Sequence, residues 1–257
     1  MYPVLFQIGD VGLYTYGLFV ALGLFTAISV SKKIAASEQI PAQTITDIFF
    51  VILISAIIGA RLLYVLINYD VYQANLLEVF KIWNGGLVFF GGFLGATLAT
   101  ALFLTHKGLD LWKMADILSP GIALGHAVGR IGCFFAGCCY GKTCDLFFAV
   151  QFSHPESLAP TGVHLHPTQI YMVISNFILF LILILLHRKK RFNGQVFLSY
   201  VMLYSLFRFI IEFFRGDYRG NFLFDFISVS QGIGLLVSAA ALILLIQRYR
   251  SSFHGRH

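Results

Sequence analysis

Long apolar runs separated by short polar segments dominate the chain. The first run spans Leu13 to Ser31 and stops at Lys32 and Lys33. The second spans Ile45 to Asn68, the third Gly85 to His106 and the fourth Met114 to Phe135. After a polar segment to His166 come runs over Gln169–Leu186, Gln195–Phe214 and Ser228–Gln247. A helix needs about 20 apolar residues to cross a hydrocarbon core of about 30 Å. The pattern therefore predicts an all-α, polytopic membrane bundle of about seven transmembrane helices. Residues 1–257 read as one membrane domain, and residues 136–166 as a small periplasmic head segment on the outer face.

Composition agrees with this reading: 58% of residues are hydrophobic and only 12% charged, against about 25% charged in soluble domains. The net charge of +6 is therefore assigned to Lys and Arg at cytoplasmic helix ends and not to nucleic-acid binding. With the amino terminus outside, Lys32/Lys33, Lys107/Lys113, Arg188–Arg191 and Arg248/Arg250 all fall inside. The carboxyl terminus is then cytoplasmic. Arg215 and Arg219 are exceptions on the outer side. Residues 1–12 carry Asp10 and no Lys or Arg, unlike the basic start of a secretory signal, so the first run reads as an uncleaved span.

Charges inside the spans are the functional signal, because each costs about 2.5–3.5 kcal/mol near a helix centre. Tyr204, Arg208, Glu212 and Arg215 are spaced by four, four and three residues, which puts them on one helical face. Arg130 is flanked by Gly129 and Gly132, with His126 one turn away, and Arg61 follows Gly59-Ala60. Three arginines with few acids require an anionic partner. Guanidinium groups pair bidentately with phosphate, and a phospholipid head group is the anion at that depth. The glycines at 121, 125 and 129, and at 91 and 95, read as helix-packing positions.

The thirteen residues Gly129-Arg130-Ile131-Gly132-Cys133-Phe134-Phe135-Ala136-Gly137-Cys138-Cys139-Tyr140-Gly141 resemble the signature of the prolipoprotein diacylglyceryltransferase family. That family's commoner form reads G-R-x-G-N-F-x-N-G-E-x-x-G, and this is similar to its cysteine-rich variant. Further matches run in family order: Tyr16-Gly17, Gly59-Ala60-Arg61, Gly85-Gly86-Leu87, His166-Pro167-Thr168-Gln169-Ile170-Tyr171, and Phe207-Arg208-Phe209 through Glu212-Phe213-Phe214-Arg215. The resemblance implies a seven-helix enzyme of the bacterial plasma membrane. It would move the diacylglyceryl group of phosphatidylglycerol onto the lipobox cysteine of a preprolipoprotein, giving a thioether and glycerol 1-phosphate.

The catalytic residues expected are Arg208, Arg130 and Glu212. Arg130, Tyr16, Tyr204, Gly137, Gly141, Arg215, Arg61 and His126 are expected to bind substrate. Phosphatidylglycerol and a lipobox peptide are the expected partners, with no cofactor and no metal. Two departures from the family stand out. Phe90 occupies the position of a histidine that is a favoured base, so Glu212 and His126 become the substitutes. Cys133, Ala136 and Cys138 replace the signature asparagines and acid. The cysteines, all within residues 133–144, read first as packing residues or a disulfide. A metal site with His154, His164 or His166 is a weaker reading, because the paired C-x-x-C spacing of structural zinc is missing. The alternatives are a noncatalytic member that binds anionic lipid or exported peptide, and a thiol redox membrane enzyme.

Overall fold

The computed structural model describes residues 2–8, 11–73, 76–81, 83, 85–217, 222–223 and 227–254. Asp10 and Arg219 lie outside the described residues. Seven described helices are long and apolar enough to cross a bilayer. They are α1 (Thr15–Ser37), α2 (Ala42–Ile67), α4 (Phe89–His106), α5 (Leu111–Ala136), α6 (Thr168–Arg188), α7 (Gln195–Glu212) and α8 (Val229–His254). A single turn, α3 (Tyr69–Tyr72), follows α2. The predicted spans are all present, with ends moved by a few residues.

The described residues also form three two-stranded antiparallel pairs: β1 (Val4–Ile8) with β2 (Val11–Tyr14), β3 (Val150–Gln151) with β4 (His164–Leu165), and β5 (Phe222–Leu223) with β6 (Ile227–Ser228). The first was not anticipated, because residues 1–12 were read only as a lead-in to the first span. Its antiparallel register brings Val4 opposite Tyr14. The Thr15 N–H then donates to the Pro3 carbonyl at 2.9 Å, fixing where α1 starts.

The chain forms two compact units, Met1–Ser31 with Ala115–His257, and Lys32–Met114. In the second, α2 starts after Pro41, the residue type that cannot donate within a helix. It packs on α4 through glycine. A Cβ on Gly59 would lie 2.4 Å from the Gly91 carbonyl oxygen, and one on Gly95 2.7 Å from that of Ser55. Only glycine permits backbones this close in lipid. Arg61 is buried here, and all five of its N–H groups go to main-chain carbonyls. Nε donates to Val79, Nη1 to Gly85 and Gly86, and Nη2 to Glu78 and Lys81, at 2.7–3.3 Å. Its plane also lies over Tyr64 and Tyr72.

The first unit holds α5 to α8 and the start of α1. Helices α1 and α5 meet at glycines: a Cβ on Gly125 would stand 2.5 Å from the Gly23 carbonyl oxygen, and one on Gly121 2.6 Å from that of Ala27. The start of α7 is fixed by Asp116 of α5. Its fully buried carboxylate accepts the N–H groups of Gly194 and Phe197, each at 2.9 Å. These are donors that a helix start otherwise leaves unpaired. Between α5 and α6, residues 137–167 fold around Phe152, Ala159 and Leu165. This head segment joins the end of α7, where the Lys142 N–H donates to the Phe214 carbonyl at 2.8 Å and Gly216 N–H to that of Tyr140 at 3.1 Å.

Candidate lipid and thiol site

Two helical faces in the first unit supply the site. On α5, His126, Arg130 and Cys133 recur at spacings of four and three residues. On α7, Tyr204, Arg208 and Glu212 recur at four and four, and Arg215 follows beyond the helix end. These are the spacings that stack side chains on one face.

Arg130 Nε donates to His126 Nε2 at 3.1 Å. Its Nη1 reaches Cys139 Sγ at 3.5 Å and Cys133 Sγ at 3.8 Å. The His126 ring stands 5.5 Å from the ring of Tyr204. Tyr204 precedes Arg208 by one helical turn, so His126 meets the arginine-bearing face of α7. Tyr16 of α1 lies against α5, where a Cβ on Gly132 would come within 3.2 Å of the Tyr16 Cα. The structure thus brings Tyr16, His126, Arg130, Tyr204 and Arg208 into one neighbourhood.

Glu212 is the hub of the α7 side. It is ion-paired with Arg208 through Oε2, and Arg215 Nε lies 3.7 Å from the same oxygen. Its other oxygen accepts from Ser230 Oγ at 2.6 Å and Ser228 Oγ at 3.3 Å. Arg215, buried, also makes a two-bond pair with Asp217 at 2.9 and 2.6 Å. Asp217, Ser228 and Ser230 escaped sequence analysis. Asp217 is readable as an Arg-x-Asp pair, whereas Ser228, at the end of β6, and Ser230, in the first turn of α8, carry no sequence signal.

Three of the expected substrate contacts have close backbone surroundings in the structure. Arg61 was expected to bind substrate, but its donors are all engaged by carbonyls of residues 78–86. Gly137 has φ +77°, and a Cβ on Gly141 would lie 2.5 Å from the His166 carbonyl oxygen and 2.7 Å from that of Phe214. Backbone geometry accounts for both glycines.

None of the four cysteines forms a disulfide. The Sγ atoms of Cys133, Cys138 and Cys139 lie within 4.8 Å of one another. Cys139 itself has φ +60°, a left-handed conformation that costs a non-glycine residue about 1–3 kcal/mol. The turn is held from α6. Thr168 Oγ1 donates to the Cys139 carbonyl at 2.7 Å, and Gln169 Nε2 to that of Cys138 at 2.9 Å. Hydrogen bonds from Cys133 and Cys138, then from Arg215, hold the Cys139 thiol well below its ordinary range. The same bonds, to Cys133 first and then Cys139, push Cys138 upward. His154, His164 and His166 do not join this cluster among the described residues.

Residues 3–247 match the family model described as prolipoprotein diacylglyceryl transferase. A phosphatidylglycerol–prolipoprotein diacylglyceryl transferase of Clostridium tetani is 37% identical over 97% of this chain and 99% of its own length. Proteins of the same name from Finegoldia magna and Listeria innocua are 35% and 32% identical, covering 95% and 96% of this chain and 94% and 89% of their own.

Proposed function

The chain belongs to the prolipoprotein diacylglyceryl transferase family, and from that premise we propose how its own residues carry the transfer. It is a transferase of the multi-pass membrane class. Its donor is phosphatidylglycerol and its acceptor the lipobox cysteine of a prolipoprotein. The thiol sulfur attacks the glyceryl carbon next to the phosphate, giving a thioether and glycerol 1-phosphate.

Arg130 and Arg208 clamp the phosphate of the donor. The observation that carries this reading is that His126, hydrogen-bonded to Arg130 on its own helix, stands 5.5 Å from the ring of Tyr204, one helical turn from Arg208 on α7. The leaving group gathers negative charge as the carbon–oxygen bond breaks. Positioned cations in a water-poor site stabilise such charge without reorganising. Glu212 holds Arg208 in place, and Tyr204 and Tyr16 offer hydroxyls to the head group. His126 positions Arg130, because its Nε2 already accepts from that side chain. Arg61 holds its loop and leaves the substrate set.

The amino terminus lies outside and the carboxyl terminus in the cytoplasm, supported by the basic residues toward the ends of α1, α6 and α8. The head segment then faces outward on a single membrane domain in the bacterial plasma membrane. The test is transfer of labelled diacylglyceryl from phosphatidylglycerol to a lipobox peptide. Arg208→Ala is expected to abolish it in a protein that still folds; retained transfer removes Arg208 from the mechanism.

A further inference from the structure

The transfer needs a thiolate, and the chain's evident proton acceptors are engaged. Phe90 carries no base. His126 Nε2 accepts from Arg130, and both Glu212 oxygens accept from arginine or serine. The thiols of residues 133, 138 and 139 stand beside Arg130 with no part in the clamp.

We propose that Cys133, Cys138 and Cys139 form a three-thiolate site for Zn²⁺ whose open fourth position takes the sulfur of the acceptor cysteine. Zinc–sulfur bonds of about 2.3 Å in a tetrahedral site set sulfur–sulfur distances near 3.8 Å. The three sulfurs, within 4.8 Å of one another, need draw together by only about 1 Å. The cluster is built and not incidental. A strained left-handed Cys139 aims its side chain inward, and buried Thr168 and Gln169 pin the carbonyls of residues 138 and 139. Soft thiolates select zinc over magnesium or calcium.

Three protein ligands with an open position are the arrangement of catalytic zinc, whereas structural zinc is closed by four. No fourth Cys, His, Asp or Glu completes the group among the described residues. Three thiolates and a dication carry one net negative charge, and Arg130 lies 3.5 and 3.8 Å from two of the sulfurs to balance it.

The chemistry deepens the transferase reading and rests on it for the fourth ligand. A coordinating thiol is deprotonated outright, so the acceptor S–H passes its proton to water as the zinc–sulfur bond forms. The bound thiolate attacks the glyceryl carbon, the carbon–sulfur bond forms, and the carbon–oxygen bond breaks. The bonding pair leaves on the phosphate oxygen with glycerol 1-phosphate, and no group changes oxidation state. Arg130, which binds that phosphate, lies against the same sulfur cluster, so nucleophile and leaving group share one guanidinium.

Full-length protein in detergent, stripped with a chelator, is titrated with Co²⁺ as a coloured stand-in for zinc. One equivalent should bind with strong sulfur-to-cobalt charge-transfer absorption. A lipobox peptide should intensify that absorption, and the same peptide with serine for its cysteine should not. Cys139→Ser should lose the band and Cys144→Ser keep it. Stripping should lower transfer at least tenfold, with recovery on adding Zn²⁺. If Cys139→Ser fails to fold, wild type decides alone. A missing band, or undiminished transfer after stripping, overturns the zinc site and leaves the transferase reading intact. A band that the cysteine peptide does not change overturns the acceptor role. Absence of transfer with added Zn²⁺, in a protein that shows both spectral changes, counts against the transferase reading instead.

Discussion

At the scale of single residues, Glu212 is held by more groups than any other acid of the site. Two guanidinium groups share one of its oxygens, and two hydroxyls, from the end of β6 and the start of α8, share the other. Ser230, at 2.6 Å, is the closer hydroxyl and sets the carboxylate's rotation. A hydrogen bond to a charged group contributes about 1.5–3 kcal/mol, and 1.4 kcal/mol is a factor of ten. Ser230→Ala is expected to lower kcat about tenfold with little change in KM, because Arg208 loses its alignment and not its charge. Glu212→Gln should cost more, since Arg208 then loses its carboxylate partner while Arg215 keeps Asp217. An unchanged kcat in Ser230→Ala would remove the serine from the positioning network. Arg61 illustrates the opposite case, a buried cation whose five donors serve only its own loop. Arg61→Lys cannot reproduce that planar fork. It should lower the Tm in detergent, because each buried carbonyl left unpaired costs about 1–3 kcal/mol.

At the scale of elements, glycines of one helix divide by what faces them. Gly125 meets the α1 backbone, where a Cβ would come within 2.5 Å of the Gly23 carbonyl oxygen and 2.9 Å of Ala27 Cβ. Gly129, one turn on, meets nothing within 4 Å. Gly125→Ala therefore forces α1 and α5 apart, at the 1–3 kcal/mol typical of overpacking. It should lower the Tm and the folded yield, whereas Gly129→Ala should leave both unchanged. Equal melting of the two variants would show that α1 and α5 do not depend on this contact. The spacing of four residues made this stripe legible in the sequence as packing, but could not say which glycine touches a partner. The same limit applies across the site. The Arg208–Glu212 pair was legible because a helix dictates the neighbour at i+4. The thiol cluster was not, because left-handed residues 137 and 139 fold the chain back after α5, and spacing along the sequence carries no record of that turn. The partners of Arg61 are not legible in the sequence for the same reason: they sit in an irregular loop without periodicity.

At the scale of the whole molecule, the question is which leaflet supplies the head group. The seven spans were readable because apolar length is fixed by bilayer thickness, and the structure returns each of them. The proposed orientation rests on a separate physical rule, the retention of Lys and Arg on the cytoplasmic side. The basic residues Lys32 and Lys33 sit in the last turns of α1, Arg188–Arg191 end α6, and Arg248 and Arg250 end α8. Arg130 and Arg208 instead lie toward the opposite ends of their helices, next to the head segment. That segregation sets the clamp in the outer leaflet if the basic ends stay inside. Two exposed positions test it. With all native cysteines replaced by serine, Glu156→Cys in the head segment should react with a membrane-impermeant maleimide in intact cells. Ser251→Cys near the end of α8 should react only after permeabilisation. The reverse pattern would put the arginine clamp on the cytoplasmic leaflet. An exported acceptor could then meet the donor lipid only before crossing, and the outward-facing site proposed above would fall.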